Sequence, residues 1–141
     1  MKVGFLGTGQ VARQLGALAD AVGFGDLIVL GIPYAACAQT LPPLAVRLRG
    51  KVVVDATNPL NPDWSPLVLP RGRSGAEEIA ALVPGASVVK AFNTVFADTM
   101  TPAGLDRGGA KVTTFIASDD QTACELVARF ATSLGSVSYT H

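Results

Sequence analysis

The chain has 141 residues, a length typical of one domain, and 49% of its residues are hydrophobic while 16% are charged. This composition excludes a disordered chain and allows a buried core without disulfides or metals. Eleven basic residues balance eleven acidic ones, which argues against nucleic-acid and anionic-membrane partners. No apolar run reaches the ~18 residues that span a bilayer, and the first residues lack the apolar stretch of a signal peptide. We therefore expect one cytoplasmic domain over residues 1–141.

The first predicted strand, Lys2–Leu6, is followed by the strongest motif of the chain. Gly7-Thr8-Gly9-Gln10-Val11-Ala12 has the Gly-x-Gly-x-x-Ala pattern and opens a helix that is predicted over Gln10–Val22. Between a strand and a helix, this pattern is typical of dinucleotide-binding folds. Gly7 permits the tight turn, and Gly9 allows a diphosphate to approach the free N–H groups of the helix.

The second predicted strand, Leu27–Ile32, begins almost at once. A dinucleotide-binding fold ordinarily uses roughly 30 residues here for a βαβ unit whose second strand carries a ribose-binding acid. Only Ala21 to Gly25 occupy that place. In the strand order 3-2-1-4-5-6 the missing strands form one edge, so their loss leaves a continuous sheet with Lys2–Leu6 as its edge strand. Because an open apolar edge invites pairing, we expect a homodimer or another cover over Lys2–Leu6.

The rest of the chain alternates predicted strands and helices. Apolar, β-branched runs predict strands over 51–55, 87–91, 111–117 and 137–139, and helical spacing predicts helices over 35–41 and 120–134. A further helix is predicted from the capping-box pattern Ser74-Gly-Ala-Glu77. These elements predict an α/β fold with a doubly wound, mainly parallel Rossmann-like sheet that lacks the second βαβ edge unit. Cys37 and Cys124 lack metal-like spacing and are expected to be free thiols.

Polar residues follow two of the predicted strands at their carboxyl ends, where open α/β sheets bind ligands. Asp55 ends one strand just before Asn58, and Asn93 follows the next strand. Asp55 is a candidate general base, or a strut that holds loop amides. Lys90 on the neighbouring strand is its candidate partner, because a lysine is costly to bury alone.

Two aromatic residues each have two interpretations. Tyr34 either lies against a nicotinamide or substrate ring or simply caps its strand. Trp64, in the long loop from Thr57 to Arg73, either stacks on a flat ring or plugs the loop onto the core. His141 is the only histidine and is terminal, and neither a metal-ligand cluster nor a nucleophile–base pair is visible in the pattern.

Five segments, in this order, resemble the NADPH-dependent reductases of the deazaflavin coenzyme F420. The NADPH-binding domain of the STEAP-type membrane ferric reductases shares the pattern. The segments are VGFLGTGQV (3–11), DLIVLGIP (26–33), GKVVVDATNPL (50–60), SGAEEIA (74–80) and VVKAFNT (88–94). The resemblance implies an oxidoreductase that transfers a hydride between NADPH and a small-molecule acceptor of the F420 or flavin type.

The resemblance also implies roles for individual residues. The diphosphate would be held by Gly7, Thr8, Gly9, Gln10 and Val11. The nicotinamide side would be lined by Ile32, Pro33 and Tyr34. The edge of the hydride-transfer cleft would be formed by Thr57, Asn58, Pro59, Ala91, Phe92 and Asn93. The candidate catalytic residues are Asp55, Asn58 and Asn93. Such a transfer depends on aligned rings more than on an acid or base.

The chain departs from that family in two places. The strand that would bind the ribose phosphate of NADPH is missing before Asp26, and the family continues beyond the last strand. The alternative is therefore a repurposed Rossmann protein that has lost nicotinamide binding. It would act through the same cleft, as a non-redox enzyme of the cyclase or isomerase type or as a small-molecule binding protein.

Overall fold

The computed structural model of the chain describes residues 1–7, 22–95 and 111–140. Within these residues, six strands form one sheet in the order β1-β2-β3-β4-β5-β6. The strands are β1 (Val3–Gly7), β2 (Leu27–Gly31), β3 (Val52–Asp55), β4 (Ser87–Ala91), β5 (Thr113–Ala117) and β6 (Val137–Thr140). Strands β1 to β4 are parallel, β5 is antiparallel to β4, and β6 is parallel to β5. The predicted α/β, mainly parallel sheet is confirmed.

Four helices of the described residues connect these strands. They are α1 (Tyr34–Thr40), α2 (Ala45–Leu48), α3 (Gly75–Leu82) and α4 (Gln121–Ser133), with a 3₁₀ turn over Pro42–Leu44 before α2. Helix α3 begins in the predicted capping box: the Ser74 hydroxyl accepts from Glu77 N–H at 3.2 Å, and the Glu77 carboxylate accepts from Ser74 N–H at 2.6 Å. Asp120 caps α4, because its Oδ1 accepts from Ala123 N–H at 3.0 Å.

Two apolar clusters lie on the two faces of the sheet, because successive side chains of a strand point to opposite faces. One cluster contains Ile28 and Leu30 of β2 and lies under α1, α2 and α3. The other contains Leu27 and Val29 of the same strand and lies under α4. Helices therefore cover both faces, as expected for a doubly wound domain.

Strand β1 has one neighbour among the described strands, β2, and is the edge strand of that part of the sheet. The connection into β2 is short and passes directly against β1 at Gly25. A Cβ on Gly25 would lie only 2.6 Å from the backbone nitrogen of Gly4, so any other residue would force the two segments apart. The sheet is thus continuous without the second βαβ unit.

Several predictions from the sequence fall outside the described residues. These are the roles of Thr8, Gly9, Gln10 and Val11, most of the first helix, and His141. Cys37 and Cys124 are buried free thiols, as expected. In the described part of the chain, no helix is both long enough and apolar enough to cross a membrane.

Candidate functional site

The carboxyl ends of β1 to β4 lie side by side at one edge of the sheet, because the four strands are parallel and in register. Gly7 at the end of β1 is paired with Gly31 of β2. Leu30 of β2 is paired with Asp55 of β3, and Asp55 with Lys90 of β4. Segments that lie far apart in the sequence are therefore brought together at the edge where open α/β sheets bind their ligands.

Asp55 lies at the centre of this edge, fully buried. Its Oδ1 accepts from the N–H and the hydroxyl of Thr57, at 2.8 and 2.6 Å, and its Oδ2 accepts from Lys90 Nζ at 2.9 Å. Lys90 also donates to the backbone carbonyl of Thr57. The predicted Asp55–Lys90 pair is confirmed. All three hydrogen bonds are made within the site, so the contacts favour the role of a strut that holds the loop after β3.

The Cys37 thiol of α1 is close enough to this pair to respond to its charges. Burial, and after it the charge of Asp55, raises the pKa of Cys37 to about 11, against a smaller opposite effect of Lys90. The thiol is therefore protonated at neutral pH, and its Sγ donates to the Pro33 carbonyl at 3.7 Å. Because the thiolate is the reactive form of cysteine, Cys37 is a packing residue and not a nucleophile.

Asn58 and Asn93 join the loops that follow β3 and β4. Asn58 Nδ2 donates to the Asn93 backbone carbonyl at 2.9 Å, and Asn93 Nδ2 donates to Asn58 Oδ1 at 3.2 Å. These bonds occupy one N–H of each amide. Among contacts between described residues, the Asn93 side-chain carbonyl and the second N–H of each amide remain for a ligand. The two residues thus form a preorganised polar pair at the cleft edge.

Phe92 turns the chain out of β4 and directs Asn93 towards Asn58. Its φ of 64° lies in the left-handed region, which costs a residue with a Cβ on the order of 1–2 kcal/mol. The Phe92 ring packs edge-to-face on Phe130 of α4, with 5.9 Å between the ring centroids. Ala91 is buried in the same cluster. The side chains of Ala91 and Phe92 therefore face the α4 layer, and neither residue lines the groove next to Asn93.

The residues predicted for the nicotinamide side lie at the start of α1. Ile32 is buried in the first apolar cluster, and Pro33 is exposed just before the helix. The Tyr34 ring and Pro59 both lie near Gly75 at the amino end of α3: a Cβ on Gly75 would lie 3.2 Å from Tyr34 Cε2 and 3.5 Å from Pro59 Cγ. Burial, more than the neighbouring charges, raises the pKa of Tyr34, so the phenol is protonated at neutral pH. Both interpretations of Tyr34, a ring-binding residue or a cap of β2, stay open.

A groove of about 840 Å³ runs from the Asn58–Asn93 pair along the α3 side of β4. Pro59 lines the end near the pair, Lys90 lines the middle, and Asp120 lies at the far end. Its volume is within the range of small-molecule sites, roughly 300–1,000 Å³. It adjoins the Asn58–Asn93 pair and does not reach Gly7.

The far end of this groove was not predicted from the sequence. It is organised by Asp120, which accepts from the Ser87 hydroxyl at 2.6 Å. This hydrogen bond, followed by the bond from Ala123 N–H, lowers the pKa of Asp120. The helix-capping position of Asp120 is the only signal in the sequence that could have placed it there, because the partner Ser87 is 33 residues away.

Two further sequence expectations concern Trp64 and metal ligands. Trp64 is 81% exposed, so it does not plug its loop onto the core. In residues 1–7, 22–95 and 111–140, no group of three or more His, Cys, Asp or Glu side chains is placed to hold a metal ion.

The curated proteins that match the chain include two reductases. The chain is 29% identical to the metalloreductase STEAP3 of Rattus norvegicus over 164 aligned positions, which cover 95% of this chain and 32% of the relative. It is 30% identical to the F420-dependent NADP reductase of Methanocaldococcus jannaschii over 98 positions, which cover 61% of this chain and 44% of the relative. The chain is thus similar to an F420-dependent NADP reductase and to a metalloreductase. It spans less than half the length of both curated relatives, and no family model matches it.

Solved structures agree with this relationship. A hypothetical protein, SMa0349 of Sinorhizobium meliloti, superposes with a TM-score of 0.77 at 32% identity, covering 92% of this chain and 65% of that one. A protein of Arthrobacter sp. FB24 assigned as an F420-dependent NADP reductase superposes with a TM-score of 0.73 at 31% identity, covering 86% and 58%. The Rossmann-like fold and the predicted resemblance are confirmed. The STEAP3 alignment is longer than the whole chain of 141 residues, so that relative carries residues inside the aligned region that this chain lacks.

Proposed function

We propose that the chain is an NADP-linked oxidoreductase that transfers a hydride between NADPH and an acceptor of the deazaflavin or flavin type. The observation that carries the proposal is the match to F420-dependent NADP reductases both in sequence, at 30% identity, and in structure, at a TM-score of 0.73. The chain spans only part of those proteins, so the activity is proposed for the cleft and the domain that forms it.

The end of β1 supports the phosphate-binding part of the proposal. Gly7 is exposed, and a Cβ at this position would meet no other atom of residues 1–7, 22–95 and 111–140 within 4 Å. Gly31, beside it on β2, is also exposed. Two adjacent strands thus end in glycine backbone that no side chain of the described residues covers at Gly7. This is the environment that a diphosphate needs in a dinucleotide fold, where it contacts backbone N–H groups directly.

The polar pair supports the ring-binding part of the proposal. When bound, NADPH supplies the hydride, so the protein needs to align two rings and exclude water from between them. Asn58 and Asn93 offer amide donors and an acceptor of the kind that binds a carboxamide. The Asp55–Lys90 pair holds the loop that carries Asn58. In this assignment Asn58 and Asn93 bind and orient, and Asp55 supports them without exchanging a proton.

A second candidate is the repurposed Rossmann protein without nicotinamide binding, and two observations favour it. In the described residues, no strand lies beyond β1, where a ribose-binding acid would stand. The 840 Å³ groove adjoins Asn58 and Asn93 but not Gly7. A small molecule in that groove would use the polar pair and Lys90 without any contact to β1.

A titration with NADPH separates the two candidates. Bound NADPH is detected by its own fluorescence, and turnover by its loss of absorbance when F420 or FMN is added. The first candidate predicts a Kd near the micromolar range, and the second a Kd weaker than about 1 mM with no turnover, a difference of roughly 4 kcal/mol in binding free energy. NADH is the control for recognition of the ribose phosphate.

Matched variants test the assigned residues. Asn58→Ala and Asn93→Ala should each lower kcat more than they weaken NADPH binding, because the pair orients the ring. Gln39→Ala removes an exposed amide from α1 and should change neither quantity. Equal effects of all three substitutions would show that the Asn58–Asn93 pair has no special role.

A further inference from the structure

The loop after β3 folds back on itself over residues 59–67. Leu67 N–H donates to the Pro59 carbonyl at 2.9 Å, Asn61 N–H donates to the Ser65 carbonyl at 2.8 Å, and an isolated β-bridge joins the two limbs. The segment is therefore a closed, hydrogen-bonded turn whose base is the Pro59–Leu67 pair. We call it the Trp64 turn, after the residue near its tip.

Side chains hold the tip of the Trp64 turn in one conformation. Asp63 Oδ1 accepts from the N–H and the hydroxyl of Ser65, at 3.0 and 2.6 Å. Asn61 Nδ2 donates to the same hydroxyl at 3.1 Å. The hydrogen bonds from Ser65, the side-chain bond first, lower the pKa of Asp63. The carboxylate is therefore charged at neutral pH, and its two bonds are present there.

Trp64 has two features that do not stabilise the fold. Its φ of 67° is in the left-handed region, where a residue with a Cβ is strained by on the order of 1–2 kcal/mol. Its side chain is 81% exposed, so the ring gains almost nothing from burial. Trp64 N–H donates to the Asn61 carbonyl at 2.9 Å, so the strained backbone is ordered. An ordered turn thus presents a large aromatic ring to solvent.

The base of the Trp64 turn belongs to the candidate site. Pro59 lines the groove next to Asn58 and, like the Tyr34 ring, lies near Gly75. Trp64 follows Pro59 by five residues in a folded turn, and at about 3.3 Å per residue its backbone lies within roughly 17 Å of Pro59. A fused-ring ligand at the open end of the groove can therefore contact both the polar pair and the indole.

We propose that Trp64 stacks on the planar fused ring of the electron acceptor and holds that ring at the open end of the groove. The inference rests on the proposed function, because it names the residue that binds the acceptor of that reaction. Offset stacking between an indole and a flat heteroaromatic ring is favourable. A stack of this kind is worth on the order of 1–3 kcal/mol, which is about 5- to 150-fold in Kd.

The chain contains one tryptophan, so its intrinsic indole fluorescence reports on Trp64 alone. The probe is FMN, which carries a planar fused ring, and ribitol 5-phosphate is the control that lacks the ring. FMN should quench the indole fluorescence saturably, after correction against free tryptophanamide. FMN fluorescence should itself be quenched on binding. Ribitol 5-phosphate should change neither signal.

Variants isolate the contribution of the ring. Trp64→Ala should weaken FMN binding by about 5- to 150-fold, and Trp64→Phe should restore most of the affinity. The wild-type residue and both replacements carry a Cβ, so the backbone strain at this position is similar in the three proteins. Val68→Ala removes an apolar side chain that is 94% exposed in the same loop and should leave FMN affinity unchanged. Circular dichroism checks that each variant is folded.

The outcomes for Trp64 and for the proposed function can be told apart by measuring NADPH binding in every protein. A folded Trp64→Ala protein with normal NADPH affinity and weakened FMN affinity supports the inference. Unchanged FMN affinity in that variant, or no FMN binding by the wild-type protein, overturns it and leaves NADPH binding as a separate result. Loss of self-association in Trp64→Ala with unchanged FMN affinity also overturns it, because Trp64 would then serve a contact between proteins.

Discussion

Replacing Lys90 with methionine should destabilise the protein by about 3 kcal/mol. The substitution removes the 2.9 Å partner of a carboxylate that has no exposed surface. Breaking a buried ion pair by removing one partner typically costs 3–5 kcal/mol, because the remaining charge is left without compensation. We take the lower end of this range for two reasons. The Lys90 side chain is 23% exposed, and Thr57 still donates two hydrogen bonds to Asp55.

Urea denaturation followed by circular dichroism measures this change. A loss of about 3 kcal/mol is a large part of the 5–15 kcal/mol that holds a typical domain together, and it should lower the melting temperature by roughly 10–15 °C. Arg73→Met is the matched control. Arg73 Nε lies 2.7 Å from Glu78 Oε1, but the Arg73 side chain is 45% exposed and that of Glu78 is 31% exposed, so the loss should stay below about 1 kcal/mol.

A double-mutant cycle with Asp55→Asn decides between the strut and the general base. A strut predicts that Asp55→Asn is itself destabilising, and that the double variant loses about 2 kcal/mol less than the sum of the single losses. A general base predicts near-normal stability for Asp55→Asn and a lost pH dependence of turnover. A loss below about 1 kcal/mol in Lys90→Met would refute the reasoning, since that is the value of an exposed pair.

Four further predictions concern Cys37, the cap of α3 and strand β1. The pKa of Cys37 is raised to about 11 from 9.0, so the folded state disfavours the thiolate. The free energy of unfolding should therefore be undiminished below pH 9 and fall as the pH rises towards 11. The Cys37→Ala variant should not show this pH dependence. Cys37 should also react with iodoacetamide at least about 100-fold more slowly than a free thiol at pH 8; equal rates would contradict its burial. Ser74→Ala should lower the free energy of unfolding in urea by about 1 kcal/mol, because it removes the capping box of α3. Ser133→Ala, at the carboxyl end of α4, should lower it by less. We also propose that two copies pair through the β1 edge. Light scattering should then give twice the 14.5 kDa chain mass, and Phe5→Lys should give the monomer. A wild-type monomer at every concentration would exclude this pairing.

The elements of the fold were predictable because each depends on local sequence. The strand predicted over 87–91 is observed over the same residues, and the strand predicted over Leu27–Ile32 ends one residue earlier. The Ser74–Glu77 capping box lies within four residues and has the expected hydrogen bonds in both directions. The Asp55–Lys90 pair was predictable for another reason: a lysine in an apolar strand needs an opposite charge, and parallel register offers only a few positions.

The directions of side chains at the cleft were not predictable from the same pattern. Ala91 and Phe92 follow β4 and lie next to Asn93 in the sequence, yet both are packed into the α4 layer. Phe92 has a left-handed backbone conformation, which turns its side chain away from the cleft. The sequence does not indicate this conformation, because the residue is not glycine. The sequence could not decide whether Trp64 is exposed or buried, for a similar reason. The direction of its side chain depends on hydrogen bonds among Asn61, Asp63 and Ser65.

The sequence by itself determined the class of fold, the resemblance to F420-dependent NADP reductases and the residues at the ends of β3 and β4. These depend on periodicity, on short motifs and on residue types that each strand or turn requires locally. The tertiary structure alone decided which of those residues meet. It joined Asn58 to Asn93 across 35 residues, placed Ser87 against Asp120 across 33 residues, and left β1 at the edge of the described sheet. Contacts of this range follow from strand order and helix packing, which no local pattern specifies, so the groove exists only once the chain is folded.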